Sequence, residues 1–219
     1  MSFYQQLQHA TAVERGSLLA TPLITAAFAG QVSRQHYLSF LSRAFHHVKH
    51  TVPLLMACGA RLPDRQEWLR SAVAHYIEEE LGHHEWILND IAAAGGDAAA
   101  VRTSTPDFDT DVMVAYAYDT VMRRNPVGLF GMVYVLEGTS VSLASNAART
   151  LQDALGLPPG AFTYLSSHGA LDVEHIGDFE QLVNRLDTPI DREAVVSHAQ
   201  TFFRLYGNVF RSIELEEYA

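Results

Sequence analysis

The chain has 219 residues, 48% of them hydrophobic and 18% charged, which suits one globular core and excludes a disordered protein. The net charge of −10, with no basic stripe, argues against partners such as nucleic acid or an anionic membrane surface. No stretch reaches the roughly eighteen apolar residues of a membrane span, and no secretory signal opens the chain. Because the single cysteine cannot form an intrachain disulfide, we expect a cytoplasmic protein.

Glycine and proline fall between the helical periods of the sequence, and this distribution predicts an all-α fold. Ser33 is expected to cap a helix, Gly95 and Gly96 to end one, and Pro53 to kink one. We predict one domain over residues 1–219, a bundle of seven to eight helices. The predicted helices cover residues 3–15, 21–29, 33–58, 65–94, 109–123, 127–153, 159–186 and 189–215.

The third predicted helix carries three histidines in the segment Ala-Phe-His-His-Val-Lys-His. His46 and His50 are four residues apart, so they share one face of a helix. They are candidates for lining a substrate pocket, although histidines of this kind are also common in ordinary cores and surfaces.

The fourth predicted helix contains the run Glu-Glu-Glu-Leu-Gly-His-His, which ends at His84. At about 100° per residue, Glu80 falls in the middle of the apolar face of this helix and is therefore the inward acid. The Glu80-x2-His83 spacing is the Glu-x-x-His arrangement that carboxylate-bridged iron proteins use. Glu79 and His84 remain open as alternatives to Glu80 and His83.

The sixth predicted helix, over residues 127–153, is apolar on nearly all sides around Glu137. Glu137 is the only ionisable residue between Val127 and Leu143. A helix of this composition is expected to be buried, so its carboxylate must be paired, protonated or bound to a metal.

The seventh predicted helix carries the most informative motif in the chain, His168-x3-Asp172-x2-His175. Residues three and four apart are neighbours on a helix surface, so these three side chains can converge on one point. The same stripe continues as Phe179 and Leu182, which predicts that it faces the core. Buried polar groups need partners, and a metal ion would supply one.

These segments provide three histidines and three carboxylates for a predicted metal site. Three ionised carboxylates carry about three negative charges, and two Fe(II) or Mn(II) ions would outweigh them by about one positive charge, enough for a bound anion. Ligation by nitrogen and oxygen without thiolate favours iron or manganese over structural zinc. The predicted ligands are Glu80, His83, Glu137, His168, Asp172 and His175, and the predicted catalytic residues are Glu80, Glu137 and His168.

With these motifs the chain resembles the haem-oxygenase-like metal oxidases, whose scaffold is shared with TenA and with pyrroloquinoline-quinone synthase. In that family one helix provides Glu and His, a second a lone Glu, and a third His-x3-Asp-x2-His about thirty residues later. The interval from Glu137 to His168 fits this pattern. The resemblance implies a di-iron centre that activates O2 and oxidises a small amine, amino acid or fatty acid, in a protein that is often a homodimer.

Other activities on the same scaffold fit the sequence less well. The segment Leu7 to Thr11 resembles true haem oxygenases, but Glu14 and Arg15 stand where those proteins place the haem-binding histidine. TenA-type thiaminases resemble this chain but need a cysteine on the helix of Glu137, whereas Cys58 lies on another segment. A metal-independent enzyme of the TenA or quinone-synthase type, or a non-catalytic small-ligand-binding protein, remains the alternative.

Overall fold

The computed structural model describes the backbone of residues 1–215 and, within that range, all side chains except those of residues 142, 145 and 168–175. All regular structure in the described range is helical, which confirms the predicted all-α class. The described residues form twelve α-helices: α1 (Phe3–Ala10), α2 (Ala12–Leu19), α3 (Pro22–Phe28), α4 (Arg34–Val48), α5 (Thr51–Arg61), α6 (Glu67–Glu80), α7 (His83–Ala93), α8 (Ala98–Thr103), α9 (Phe108–Arg123), α10 (Leu129–Leu155), α11 (Thr163–Asn184) and α12 (Pro189–Arg211).

The described helices outnumber the seven to eight predicted because three long predicted helices are each divided in two. α1 and α2 are separated at Thr11, and α6 and α7 at Leu81 and Gly82. α4 ends ahead of Lys49, four residues before Pro53. Proline lacks the N–H that would bond to the carbonyl four residues earlier and its ring crowds that carbonyl, so the expected kink is a complete break. The added helix α8 begins after Asp97, whose side chain accepts a hydrogen bond from Ala100 N at 2.9 Å.

The predicted helix ends at Ser33 and Gly95 are confirmed. Ser33 Oγ accepts a hydrogen bond from His36 N at 3.2 Å, and His36 Nδ1 accepts one from Ser33 N at 3.1 Å. Gly95 adopts a φ of +75° just beyond α7, a conformation that costs little only for glycine. Local sequence therefore sets the start of α4, the helix that carries the histidines, and the end of α7.

The long helix α10 crosses the core, where it packs against α11 and α12 and also against α3, α5 and α9. Its residues Phe130 and Val135, and Val127 just ahead of it, are almost fully buried, as the apolar composition of the segment predicts. Glu137 is therefore carried into the interior on an apolar helix. No single helix in the described range is long and apolar enough to cross a membrane, although the bent pair Pro126–Val141 and Asn146–Leu155 passes that length and composition test together.

A buried histidine on α12 is expected to make the protein sensitive to acid. The His198 ring is stacked on Tyr116 and Phe202, and its Nδ1 lies 2.9 Å from Thr120 Oγ1. Burial, and then the nearby Arg124 guanidinium, lowers the pKa of His198 to about 3. The unfolded chain takes up a proton near the ordinary histidine pKa while folded His198 stays neutral, so stability falls as the pH drops below that value.

We expect His198 alone to reduce the free energy of unfolding by about 2 kcal/mol between pH 7 and pH 5. Urea unfolding of the wild type and of His198→Phe at both pH values measures this contribution. The variant keeps an aromatic ring in the stack, and its stability should fall by about 2 kcal/mol less over the same interval. An identical pH dependence in the two proteins would contradict the assignment.

Candidate functional site

A break in the backbone brings Glu80 and His83 together. α6 ends at Glu80, Leu81 is extended, and Gly82 adopts a φ of +88° before α7 begins at His83. His83 Nδ1 lies 3.1 Å from Glu80 Oε2, and both side chains are largely buried. The two residues therefore do not meet through the spacing of one continuous helix, as the sequence pattern predicts. They meet because Gly82 allows the chain to turn between two helices.

The two alternatives left open by the sequence lie in different surroundings. Glu79 Oε1 lies 3.2 Å from the exposed His75 of the preceding turn. His84 is partly exposed, and its Nε2 lies 3.3 Å from Glu85 Oε1. The geometry therefore favours Glu80 and His83 as the interior pair of this segment.

Glu137 and Glu80 line the same cavity from different helices. The Glu137 side chain is buried on α10, with 8% of the residue exposed. Tyr76, one turn before Glu80 on α6, also lines this cavity. The pKa of Tyr76 is raised, first by burial and then by the charge of Glu137, with smaller contributions from other acids including Glu80. Tyr76 is thus a neutral phenol beside a group of carboxylates.

The helix that carries the His-x3-Asp-x2-His motif lies beside α10. A Cβ atom added to Gly138, the residue after Glu137, would lie 3.9 Å from Ile176 Cδ1 on α11. The backbone of residues 168–175 is helical and is followed directly by Ile176 in the same helix. The side chains of His168, Asp172 and His175 lie outside the described residues, so their predicted ligand role stays a prediction.

Asp90 ties the start of α11 to α7. Its carboxylate is fully buried and accepts hydrogen bonds from Thr163 N at 3.1 Å, from Tyr164 N at 2.8 Å and from the Thr163 hydroxyl. Burial raises the pKa of Asp90, and these hydrogen bonds oppose the shift. The helix of His83 and the helix of the His-x3-Asp-x2-His motif are therefore held in one register by a single side chain.

The described donors suit iron in chemical type. A carboxylate in contact with an imidazole, together with a second carboxylate on the same cavity, is an oxygen and nitrogen set without thiolate. Among the described side chains no group of three or more histidines, cysteines or acids is close enough to hold a metal ion. The predicted site adds His168, Asp172 and His175, whose side chains lie outside the described residues.

The cavity beside these residues is large and mostly apolar. It has about 1260 Å³ of empty volume, including the part open to solvent. Its polar groups include Tyr76, Glu80, Glu137, Thr139 and Ser140. Apolar residues supply most of its wall: Leu23, Ile24, Ala27, Phe28, Val32, Phe40, Val48, Leu55, Met132, Val133, Leu136, Leu143, Ala144, Ala147, Leu151, Leu165 and Phe210.

His47, rather than the predicted His46 and His50, belongs to the described lining of this cavity. His46 Nε2 lies 2.9 Å from Ser104 Oγ, and His50 Nδ1 lies 3.1 Å from the Tyr118 hydroxyl. The reason is the break at Lys49, which places His50 ahead of α5 instead of one turn beyond His46 on a continuous helix. The i, i+4 argument that joins the two histidines in the sequence does not apply across that break.

Two residues named in the comparison with related activities have partners in the structure. The only cysteine, Cys58, is fully buried on α5, and its thiol donates to Pro126 O at 3.3 Å. Burial raises the pKa of Cys58 to about 12, which disfavours the thiolate that a nucleophilic cysteine needs. Glu14, at the position compared with the haem-binding histidine, forms an ion pair with Arg204 at 2.9 Å.

Comparison with known families places the chain among iron-containing proteins. Residues 38–207, which include all six predicted ligands, match the family model described as iron-containing redox enzyme. The chain belongs to this family of iron-containing redox enzymes. The match confirms the predicted resemblance and supports iron as the metal of the family. No curated protein sequence matches the chain significantly.

Solved structures confirm the haem-oxygenase-like fold of this family member. A domain of unknown function with that fold from Shewanella denitrificans is 24% identical, with 97% of this chain and 92% of that chain covered and a TM-score of 0.85. Haem oxygenase-1 from the cyanobacterium Synechocystis, in complex with haem, is 14% identical over 98% and 93% of the two chains, with a TM-score of 0.77. A TenA homologue from P. horikoshii is 8% identical over 97% and 98%, with a TM-score of 0.78. At these identities the likeness shows the fold alone.

Sequence reasoning missed the roles of three residues around this site. Asp90 lies between the apolar residues Leu88 and Ile91 of α7, and that pattern is a signal for a buried, hydrogen-bonded carboxylate. Tyr76 precedes Glu80 by four residues, so helical spacing alone places the two on one face. His47 had no such signal, because its inward direction depends on how α4 packs against α7 and α9.

Proposed function

We propose that this protein is an iron-dependent oxidase or oxygenase that uses O2 to oxidise a small organic substrate, an amine, an amino acid or a fatty acid. The observation that carries the proposal is the buried Glu80 and His83 contact beside a cavity that Glu137 also lines, in a member of a family of iron-containing redox enzymes. The proposed metal site is dinuclear, with iron preferred and manganese possible in its place. Its ligands are Glu80, His83, Glu137, His168, Asp172 and His175.

Bound iron would supply the electrons and the open coordination positions that O2 activation requires. The chain itself supplies position and environment. His83 orients the Glu80 carboxylate through their 3.1 Å contact, and Asp90 holds the start of α11 against α7. The apolar wall excludes bulk water from the substrate, which strengthens the electrostatic interactions of the buried acids.

Anaerobic titration of metal-stripped protein with Fe(II) tests the proposal. We expect saturation near two iron ions per chain, followed by O2 consumption in proportion to the bound iron when the loaded protein meets oxygen. A parallel titration with Mn(II) tests the alternative metal, and binding of Mn(II) alone would contradict the preference for iron. Absence of stoichiometric uptake of either ion would contradict the metal site and, with it, the proposed reaction.

A further inference from the structure

Resting on the proposed function, we infer that the substrate has an elongated, uncharged apolar body with one polar end, and that it enters beside Phe28. The inference rests on where the cavity opens, how far it extends and which side chains line it.

Exposure locates the mouth of the cavity. Phe28, at the end of α3, is 40% exposed and is the one exposed residue among the described lining residues. A Cβ atom added to the nearby Gly30 would lie 3.3 Å from Ala154 Cβ and 3.7 Å from Thr150 Cγ2. The end of α3 is therefore packed against the C-terminal part of α10, and the mouth lies at that end of the cavity.

The acids lie at the other end. Glu137 and Leu151 both line the cavity from α10, and fourteen residues separate them. At a helical rise of about 1.5 Å per residue, this is a path of about 20 Å when it is followed along the helix. The path is not straight, because the segments Pro126–Val141 and Asn146–Leu155 are inclined to each other by 54°. Glu80 and Tyr76 line the cavity from α6. The charge of Glu137 contributes to the raised pKa of Tyr76. A substrate that reaches the candidate metal ligands from the mouth must therefore be long.

Between the two ends the described wall is mostly apolar, and its basic side chains are the imidazoles of His36 and His47. Lysine and arginine, the usual partners of a substrate carboxylate, do not occur among the described lining residues. A free amino acid would cover only part of this apolar wall, so it would bury less apolar surface than an elongated molecule. A molecule with one polar end can present that end to the acids and iron and bury the remainder.

Small residues set the width of the passage near the mouth. Ala27, next to Phe28, and Ala147 on α10 both line the cavity. A larger side chain at either position would narrow the route without touching Glu80 or Glu137. Ala27 and Ala147 are therefore the expected determinants of which substrate bodies can enter.

Binding of a homologous series tests the inference independently of catalysis. The probes are straight-chain alkyl carboxylates, alkylamines and alkanols of increasing length, below their micelle concentrations, with free lysine, arginine and tyrosine for comparison. Calorimetry is performed on metal-free and on Fe(II)-loaded wild-type protein. In at least one of the three series, affinity should rise about three- to fourfold per added methylene until the chain reaches the mouth. The series that binds best identifies the polar end.

Ala27→Phe and Ala147→Phe should each weaken binding of the longest probes at least tenfold and leave iron stoichiometry unchanged. The matched control is Thr25→Phe, which adds the same ring to an exposed position of α3 outside the cavity wall. Ala27 and Ala147 lie on different helices. Weaker binding in both variants therefore indicates a blocked passage, whereas a folding defect would affect one variant alone.

The outcomes separate this inference from the proposed function. Length-dependent alkyl binding without iron uptake would support the cavity assignment and contradict the iron enzyme. Iron uptake with affinity that is flat in chain length, or with tighter binding of a free amino acid, would overturn the inference and leave the enzyme intact. Equal binding by the three phenylalanine variants would overturn the entrance at Ala27 and Ala147.

Discussion

Replacement of Glu137 by alanine is expected to abolish stoichiometric Fe(II) binding while the helical fold persists. Glu137 is buried on α10 and lines the cavity with Glu80, so its loss removes a carboxylate that the proposed site needs. Loss of groups that merely support metal ligands costs about 10- to 100-fold in metal affinity, and loss of a ligand itself should exceed that range. The measurement is anaerobic Fe(II) titration, with circular dichroism as the check on helix content.

The chain offers a matched control on α6. Glu78 is exposed and lies two residues from Glu80, so Glu78→Ala removes an equal charge from the same helix. Glu80→Ala should behave like Glu137→Ala, and Asp172→Ala tests the α11 motif in the same assay. Full iron loading of Glu137→Ala, or equal losses in Glu78→Ala and Glu80→Ala, would refute the ligand assignment.

The second large effect is expected at Gly131, where α10 and α12 approach each other. A Cβ atom at this position would lie 2.6 Å from both Ala199 N and Val195 O, and 3.1 Å from His198 Cβ. The two nearest atoms belong to the backbone of α12 and cannot move away by a change of side-chain rotamer. Gly131→Ala should therefore separate the helices and lower the free energy of unfolding by about 3 kcal/mol or more.

Urea unfolding measures the effect, and Gly16→Ala is the control. Gly16 lies within the exposed α2 with no atom near its added Cβ, so alanine there should stabilise the protein by about 0.5–1 kcal/mol. For a domain of this size, the loss at Gly131 corresponds to a fall in Tm of roughly 6–12 °C. An unchanged Tm in Gly131→Ala would show that α10 and α12 do not pack this closely.

The helix breaks show where sequence reasoning succeeds and where it ends. The period of apolar residues correctly locates every long helical segment, because that period reflects which face packs inward. The divisions at Lys49 and at Gly82 carry the local signals Pro53 and Gly82, but a kink, a break and a continuous helix are all compatible with those residues. Packing decides among them. The choice matters, because it separates His46 from His50 and joins Glu80 to His83.

The candidate site also combines features that the sequence predicts with features that depend on the tertiary structure. Glu137 is predictable because a lone acid on an apolar helix must be buried, and burial follows from composition alone. The preference for Glu80 over Glu79 and for His83 over His84 is consistent with the sequence but requires the turn at Gly82. Asp90 is local to α7, yet its partners Thr163 and Tyr164 are more than seventy residues away in the chain.

By itself, the sequence determined the all-α class and the burial of Glu137, and it supplied the candidate oxygen and nitrogen donors, since helical periodicity and residue chemistry are local properties. Only the tertiary structure decided that Glu80 meets His83 across a turn, that His47 replaces His46 and His50 on the cavity wall, and that Phe28 on this wall is exposed. These features depend on contacts between helices far apart in the chain. Spacing within one helix cannot specify such contacts, because they arise from the packing of whole helices against one another.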